Sequence, residues 1–165
     1  MHWEATISNR VRGKGCPYDA GRYPIPGKTD LATRQPLLCG EWDYERNESL
    51  MPEHVTAGSE RKAWWKCKNC GMGWKAAVYS RVEGYACPYD SGRYPIPGKT
   101  DLATLHPLIA AEWHYERNRE LKPEQFTAHS GKKVWWKCSK CGTSWQASID
   151  TRTKGHCCPQ CRGCF

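Results

Sequence analysis

The chain has 165 residues, 25 Lys and Arg against 17 Asp and Glu for a net charge of +8, and 11 Cys, 9 Trp and 8 Tyr beside only 2 Phe. Its mean hydropathy is −0.80, and no apolar run approaches the roughly 20 residues of a membrane helix. The opening MHWEATISNRVRGKG has no apolar signal core, which points to a cytoplasmic protein, and thiols this numerous then read as metal ligands rather than disulfides.

The elements occur in copies. Residues 1–94 overlay 72–165 without a gap at an offset of 71, with 51 of 94 positions identical. Such self-similarity marks tandem duplication of one structural unit. It divides the chain into a partial first unit over 1–35, a second over 36–106 and a third over 107–165. Met1 aligns with Met72, two residues past Cys70, so Cys16 and Asp19 stand as half a site without a preceding Cys-x-x-Cys. A fragment or a degenerate first unit is expected, with completion by a partner as the alternative.

In chain order, Tyr23-Pro-Ile-Pro-Gly, repeated at Tyr94, is excluded from a helix interior by its prolines. Pro107-Leu-Ile-Ala-Ala-Glu-Trp fits a short connecting helix, with Leu108, Ala111 and Trp113 toward a core. Leu50-Met-Pro-Glu-His-Val and Leu121-Lys-Pro-Glu-Gln-Phe form turns. Residues 62–67 and 133–138 then read as strands, and alternation from Trp74 and from Trp145 gives the partner strand of each hairpin. Cys87-Pro88 and Cys158-Pro159 resemble helix starts. The predicted class is small α+β and zinc-dependent: tandem treble-clef, zinc-ribbon-like repeats of about 71 residues joined by short helices.

The cysteines carry the strongest signal. Cys67 and Cys70 are followed by Cys87 and Asp90; Cys138 and Cys141 are followed by Cys158 and Cys161. Two Cys-x-x-Cys pairs separated by 15–20 residues are a zinc pattern, because each short turn brings two thiolates to one ion and two turns complete a tetrahedron. Two Zn²⁺ sites are expected. In the middle set Asp90 either supplies a carboxylate oxygen as fourth ligand or caps a helix N-terminus; water is the alternative fourth ligand. Units this small need the metal to fold.

The run Pro-Leu-Ile-Ala-Ala-Glu-Trp, Asn118, Val-Trp-Trp-Lys-Cys-x-x-Cys-Gly, Trp145, Arg152, Gly155 and Cys-Pro-x-Cys resembles the treble-clef "probable zinc-ribbon" domain family. The resemblance covers essentially the whole chain. It implies zinc at Cys138, Cys141, Cys158 and Cys161, and by alignment at Cys67, Cys70 and Cys87. The chain departs from the family pattern at Asp19 and Asp90. Relatives that resemble nuclease fusions imply a DNA-directed role.

Positive charge tracks the zinc units: residues 60–93 sum to +4 and 131–165 to +6, whereas 36–59 sum to −4. Some of these cations would stabilise zinc–thiolate centres. Their number favours a nucleic-acid surface, DNA or RNA, with Lys62, Lys66, Lys75, Arg81, Lys133, Lys137, Arg152 and Lys154 as contacts. Trp42, Trp113, Trp74 and Trp145 fall at core positions. In Trp64-Trp65 and Trp135-Trp136 the two rings of each pair face opposite sides of a strand; one packs on the hairpin, and the other packs between units or stacks on bases. No phosphate-binding loop or nucleophile elbow is present, and Glu112, His114 and Glu116 read as a solvated helix face. The expected protein is therefore not an enzyme. A protein-interaction module and a targeting fragment of a nuclease are the rival readings.

Overall fold

The computed structural model describes residues 3–161. The chain packs as two units, Met1–Asp90 and Ser91–Phe165. In the first, α1 (Ile7–Val11), α2 (Leu31–Arg34), α3 (Pro36–Cys39) and α4 (Tyr44–Asn47) lead through a 3₁₀ turn at Pro52–His54 to the hairpin β1 (Lys62–Lys66) and β2 (Gly73–Ala77), followed by α5 (Val78–Val82). The second repeats this order: α6 (Leu102–Leu105), α7 (Pro107–Ala110), α8 (Tyr115–Asn118), a 3₁₀ turn at Pro123–Gln125, β3 (Lys133–Lys137), β4 (Ser144–Ser148) and α9 (Ile149–Thr153).

These helices are too short to stand alone, so local caps and tertiary contacts specify them. Asp101 caps α6: its carboxylate accepts from the Thr104 N–H at 2.9 Å, the Thr104 hydroxyl at 2.8 Å and the Gly98 N–H at 2.7 Å. Burial alone would raise its pKa, but these hydrogen bonds outweigh burial and hold it below the usual carboxylate range. Asp30 does the same for α2. Directly after each cap, a fully buried leucine enters the core. The Leu31 N–H donates to Val55 at 2.9 Å and the Leu102 N–H to Phe126 at 2.8 Å. Through Leu31, the segment read from sequence as part of a partial unit lies in the first compact unit.

Both hairpins alternate as a strand must. Ala63 and Trp65, and Val134 and Trp136, are buried, while Lys62, Lys66, Lys133 and Lys137 are exposed. Trp65 faces Trp74 across one ladder, and Trp136 faces Trp145 across the other. The connecting segment covers the free edge of the first strand. Lys137 donates its N–H to Glu112 O at 2.7 Å, and His114 donates to Trp135 O at 3.1 Å. The Asn118 side chain acts as a surrogate strand residue: its Oδ1 accepts from the Trp135 N–H and its Nδ2 donates to Trp135 O, both at 2.8 Å. Asn47 holds Trp64 in the same way. An edge satisfied by side chains offers no template for strand addition.

Each core is built on edge-to-face indoles: Trp42 on Trp65 at 5.1 Å and Trp113 on Trp136 at 5.4 Å. All four ring N–H groups donate to backbone carbonyls, as buried indoles require.

Three expectations are corrected here. Ile109, Ala110 and Trp113 face the core, whereas Leu108 and Ala111 are exposed. The same sequence supports both faces, and the Trp113–Trp136 bridge selects between them. Glu112 and His114 are buried rather than solvated, because the connecting segment lies on the strand. Finally, Cys87-Pro88 and Cys158-Pro159 enter turns and not helices; at the former, Gly92 at φ 71° and then Pro95 stop propagation.

Glu48 and Arg119, immediately after α4 and α8, take φ 50° and 53° with ψ near −110°, a region favourable only to glycine. Replacing either with Gly is expected to stabilise its unit by roughly 1 kcal/mol, measured as a raised denaturant midpoint with an unchanged slope.

Candidate metal centres

Each half-site is made by a tight turn. Cys67 directly follows β1, and the Gly71 N–H donates back to Cys67 O at 2.9 Å while the Cys67 N–H donates to Met72 O at 3.0 Å. Gly71 supplies the left-handed residue, φ 73°, that closes this knuckle. Cys138, Gly142 and Thr143 repeat it at 3.0 and 2.9 Å. On the other side, α5 and α9 run into Gly84 and Gly155, both at φ 92°, which turn the chain back so that Cys87 and Cys158 meet the knuckles.

The result is two thiol clusters. Cys138, Cys141, Cys158 and Cys161 converge, as do Cys67, Cys70 and Cys87, with ligand atoms in each group within 4.8 Å of one another. Sγ separations are 3.7 Å for Cys70–Cys87, 3.7 Å for Cys141–Cys158 and 3.9 Å for Cys138–Cys161. Four sulfurs at about 2.3 Å from a tetrahedral zinc would be about 3.8 Å apart, so both clusters fit Zn²⁺. Bound there, the ion supplies a structural cross-link between the knuckle and the returning chain.

Asp90 is not drawn into the middle group. Its carboxylate accepts from Asn69 Nδ2 at 2.7 Å and lies outside the three-thiol cluster. Changing Asp90 to Cys would add a fourth thiolate, and roughly tenfold or more tighter zinc binding is expected in chelator competition.

The thiols share protons unevenly. A hydrogen bond from Cys161 draws Cys141 down to about 6, and the same contact pushes Cys161 up to about 12. Burial raises Cys87 to about 11. Cys67 is also penalised by burial, but the backbone N–H groups of Cys70 and Asn69 bring it below its ordinary value. Metal binding displaces these protons.

Around each centre lies an ion pair absent from the expected ligand set. Arg152 pairs with Glu112, with side chains 2% and 6% exposed. Its guanidinium lies between Trp136 and Trp145, at 5.4 and 5.2 Å from the ring centroids. Arg152 donates at 2.6 Å to His156 O, two residues before Cys158, while Glu112 accepts from the Ser139 N–H and hydroxyl at 3.0 and 2.9 Å, inside the knuckle. One buried pair therefore orients both halves of the site. Burial lowers the Arg152 pKa, opposed by Glu112 and by the Cys138 and Cys158 thiolates. Arg81 repeats this with Glu41, the Tyr85 carbonyl, Trp65 and Trp74.

This corrects the reading of Arg81 and Arg152 as phosphate contacts: both guanidinium groups are buried and committed to a carboxylate and a carbonyl. The signal was available in sequence as Glu41 and Glu112 recurring 40 residues before each arginine. Of the other proposed contacts, Lys62, Lys66, Lys75, Lys133 and Lys137 are exposed, and Lys154 is exposed but paired with Asp150 at 2.7 Å.

A hairpin flanked by converging cysteine half-sites, repeated in tandem, defines a small zinc-finger architecture. The family described as probable treble clef zinc finger domain matches residues 38–93 and 109–164, and the chain belongs to that family. A comparison with curated proteins gives no match.

Proposed function

We propose that this is a structural-zinc, tandem treble-clef protein that binds nucleic acid through the basic outer faces of its hairpins and has no catalysis of its own. The observation that carries this reading is the placement of five lysines. Lys62 and Lys66 share the outer face of β1, Lys75 lies on the same face of β2, and Lys133 and Lys137 share the outer face of β3. All five are exposed, and none forms an ion pair among the described residues. Cations without a carboxylate partner are available to phosphates, although Lys75 also lies 5.9 Å from the Trp64 ring centroid.

The thiolate centres lie behind this surface as scaffolding, and a cytoplasmic location is part of the proposal. No helix among the described residues is long and apolar enough to cross a membrane.

The test is anisotropy with the zinc-loaded chain. Affinity is expected to fall steeply between about 50 and 200 mM salt. A Lys133→Glu/Lys137→Glu variant is expected to bind several-fold more weakly and to lose about one unit of salt slope per phosphate contact removed. Salt-insensitive behaviour, or none at all with any nucleic acid, would sink the reading.

A second reading has its own observation. Leu37 and Leu108 are 87% and 64% exposed at equivalent positions, and Tyr44 and Tyr115 are exposed as well. A repeated apolar surface of this kind favours a protein partner, and that reading would take over if nucleic-acid binding failed.

A further inference from the structure

The centre of each basic face is not a lysine but an indole. Trp64 lies between Lys62 and Lys66 on β1, and Trp135 lies between Lys133 and Lys137 on β3; both rings are half-buried. Residues two apart on a strand are about 6.6 Å apart on one face, so each ring has a cation on either side. An exposed arginine from the neighbouring helix covers each ring. Arg46 places its guanidinium carbon 4.9 Å from the Trp64 centroid, and Arg117 places its own 4.3 Å from that of Trp135.

The backbone makes room for this arrangement in the first unit. A Cβ at Gly73 would come within 2.4 Å of Arg46 Nη1, so Arg46 rests directly against the hairpin backbone there; Ser144 stands at the equivalent position of the second unit. Arg46 also touches Asp43 at 3.7 Å. At the equivalent place in the second unit stands His114, and Arg117 forms no ion pair among the described residues.

A guanidinium seated on an indole exposes a second planar, cationic face to solvent. Nucleobases stack on such planes and on aromatic rings, but only where they are unpaired and splayed from a helix. Lysines alone suffice for the phosphates of a duplex, whose bases already stack on one another. From this repeated Lys–Trp–Lys face with its arginine lid, we infer that the hairpins are stacking platforms for single-stranded nucleic acid: a base stacks on the Arg–Trp pair and its flanking phosphates lie beside the lysines. This inference rests on the nucleic-acid reading above and adds the strand state and the mode of contact.

The probes are a mixed-sequence DNA single strand, the RNA of the same sequence, the corresponding DNA duplex, and an abasic DNA strand with the same number of phosphates. Each is titrated against the zinc-loaded full chain at the same two salt concentrations, about 50 and 200 mM. The base-bearing strands are expected to bind about tenfold or more tightly than the abasic strand, and more tightly than the duplex. A variant carrying Arg46→Lys and Arg117→Lys keeps the charge and removes the planar face. It should lose affinity for base-bearing strands about fivefold or more while binding the abasic strand as before. Zinc content and the far-ultraviolet spectrum report that it remains folded; both side chains are exposed, and Arg117 makes its ring contact without an ion pair. If the abasic strand or the duplex binds as well as the base-bearing strands, with salt sensitivity intact, the stacking inference falls and phosphate binding stands. Equal losses on all probes in the Arg46→Lys/Arg117→Lys variant also overturn it. No binding to any probe overturns both. A preference between the DNA and RNA strands, in either direction, leaves stacking supported and assigns the sugar.

Discussion

Changing Cys138 to Ser is expected to unfold the second unit while leaving the first folded, so that the chain binds one equivalent of zinc instead of two. The reason is one of scale. The buried apolar cluster of that unit consists of Leu102, Ile109, Trp113, Val134, Trp136 and Ile149, and its longest helix and strands have five residues. Cores of this size do not offset the chain entropy of some seventy residues without a staple. Structural zinc supplies about 10–16 kcal/mol of apparent binding energy at neutral pH, and that energy is folding energy. Cys138 is buried, so its replacement removes a thiolate from inside the unit, while the backbone N–H that closes the knuckle on Thr143 is kept and the loss is that of the metal ligand. The checks are zinc stoichiometry by mass spectrometry under native conditions and near-ultraviolet dichroism from the tryptophans. A Cys138→Ser chain with two zinc ions and an unchanged spectrum would contradict the structural role assigned here. Chelation of the wild-type chain should reproduce the loss in both units, reversibly on adding zinc.

The second large effect belongs to the buried ion pair. Glu112→Gln is expected to destabilise the second unit by about 3–5 kcal/mol, because it leaves the Arg152 guanidinium buried without its counter-charge. That is a large part of the roughly 5–15 kcal/mol that holds a typical domain. The loss has two routes: the uncompensated charge, and the exchange of one acceptor oxygen for an amide donor, so that position 112 can no longer accept from both Arg152 and Ser139. Arg152→Met should cost a similar amount and also remove the contacts to Trp136 and Trp145. In the double variant Glu112→Gln/Arg152→Met the losses should be strongly sub-additive, since no lone charge stays buried. Denaturant unfolding with zinc in fixed excess measures all three. Additive losses would show that the two side chains act separately. In the same experiment zinc affinity should drop about 10–100-fold in either single variant, the usual consequence of disturbing residues that orient metal ligands.

Much of this molecule was legible in its sequence, for reasons particular to its residues. The 71-residue repeat, the strands read at 62–67 and 133–138 and found at Lys62–Lys66 and Lys133–Lys137, and the convergence of Cys67, Cys70 and Cys87 and of Cys138, Cys141, Cys158 and Cys161 all follow from local rules. Strand alternation has a period of two, and a Cys-x-x-Cys turn admits one geometry around an ion. What sequence did not decide was which partner each polar side chain takes. Arg81 and Arg152 sit in basic stretches and read as surface cations until the tertiary structure places Glu41 and Glu112, 40 residues away, against them. Asp90 occupies a ligand position in the spacing, yet Asn69 holds its carboxylate. The short connecting helix offers two apolar faces, and the contact of Trp113 with Trp136 selects the one that buries Ile109 and exposes Leu108. Periodicity and ligand spacing are local properties that a chain carries wherever it folds. Burial of a charge is a property of the assembled unit, because its cost depends on a counter-charge that only packing supplies.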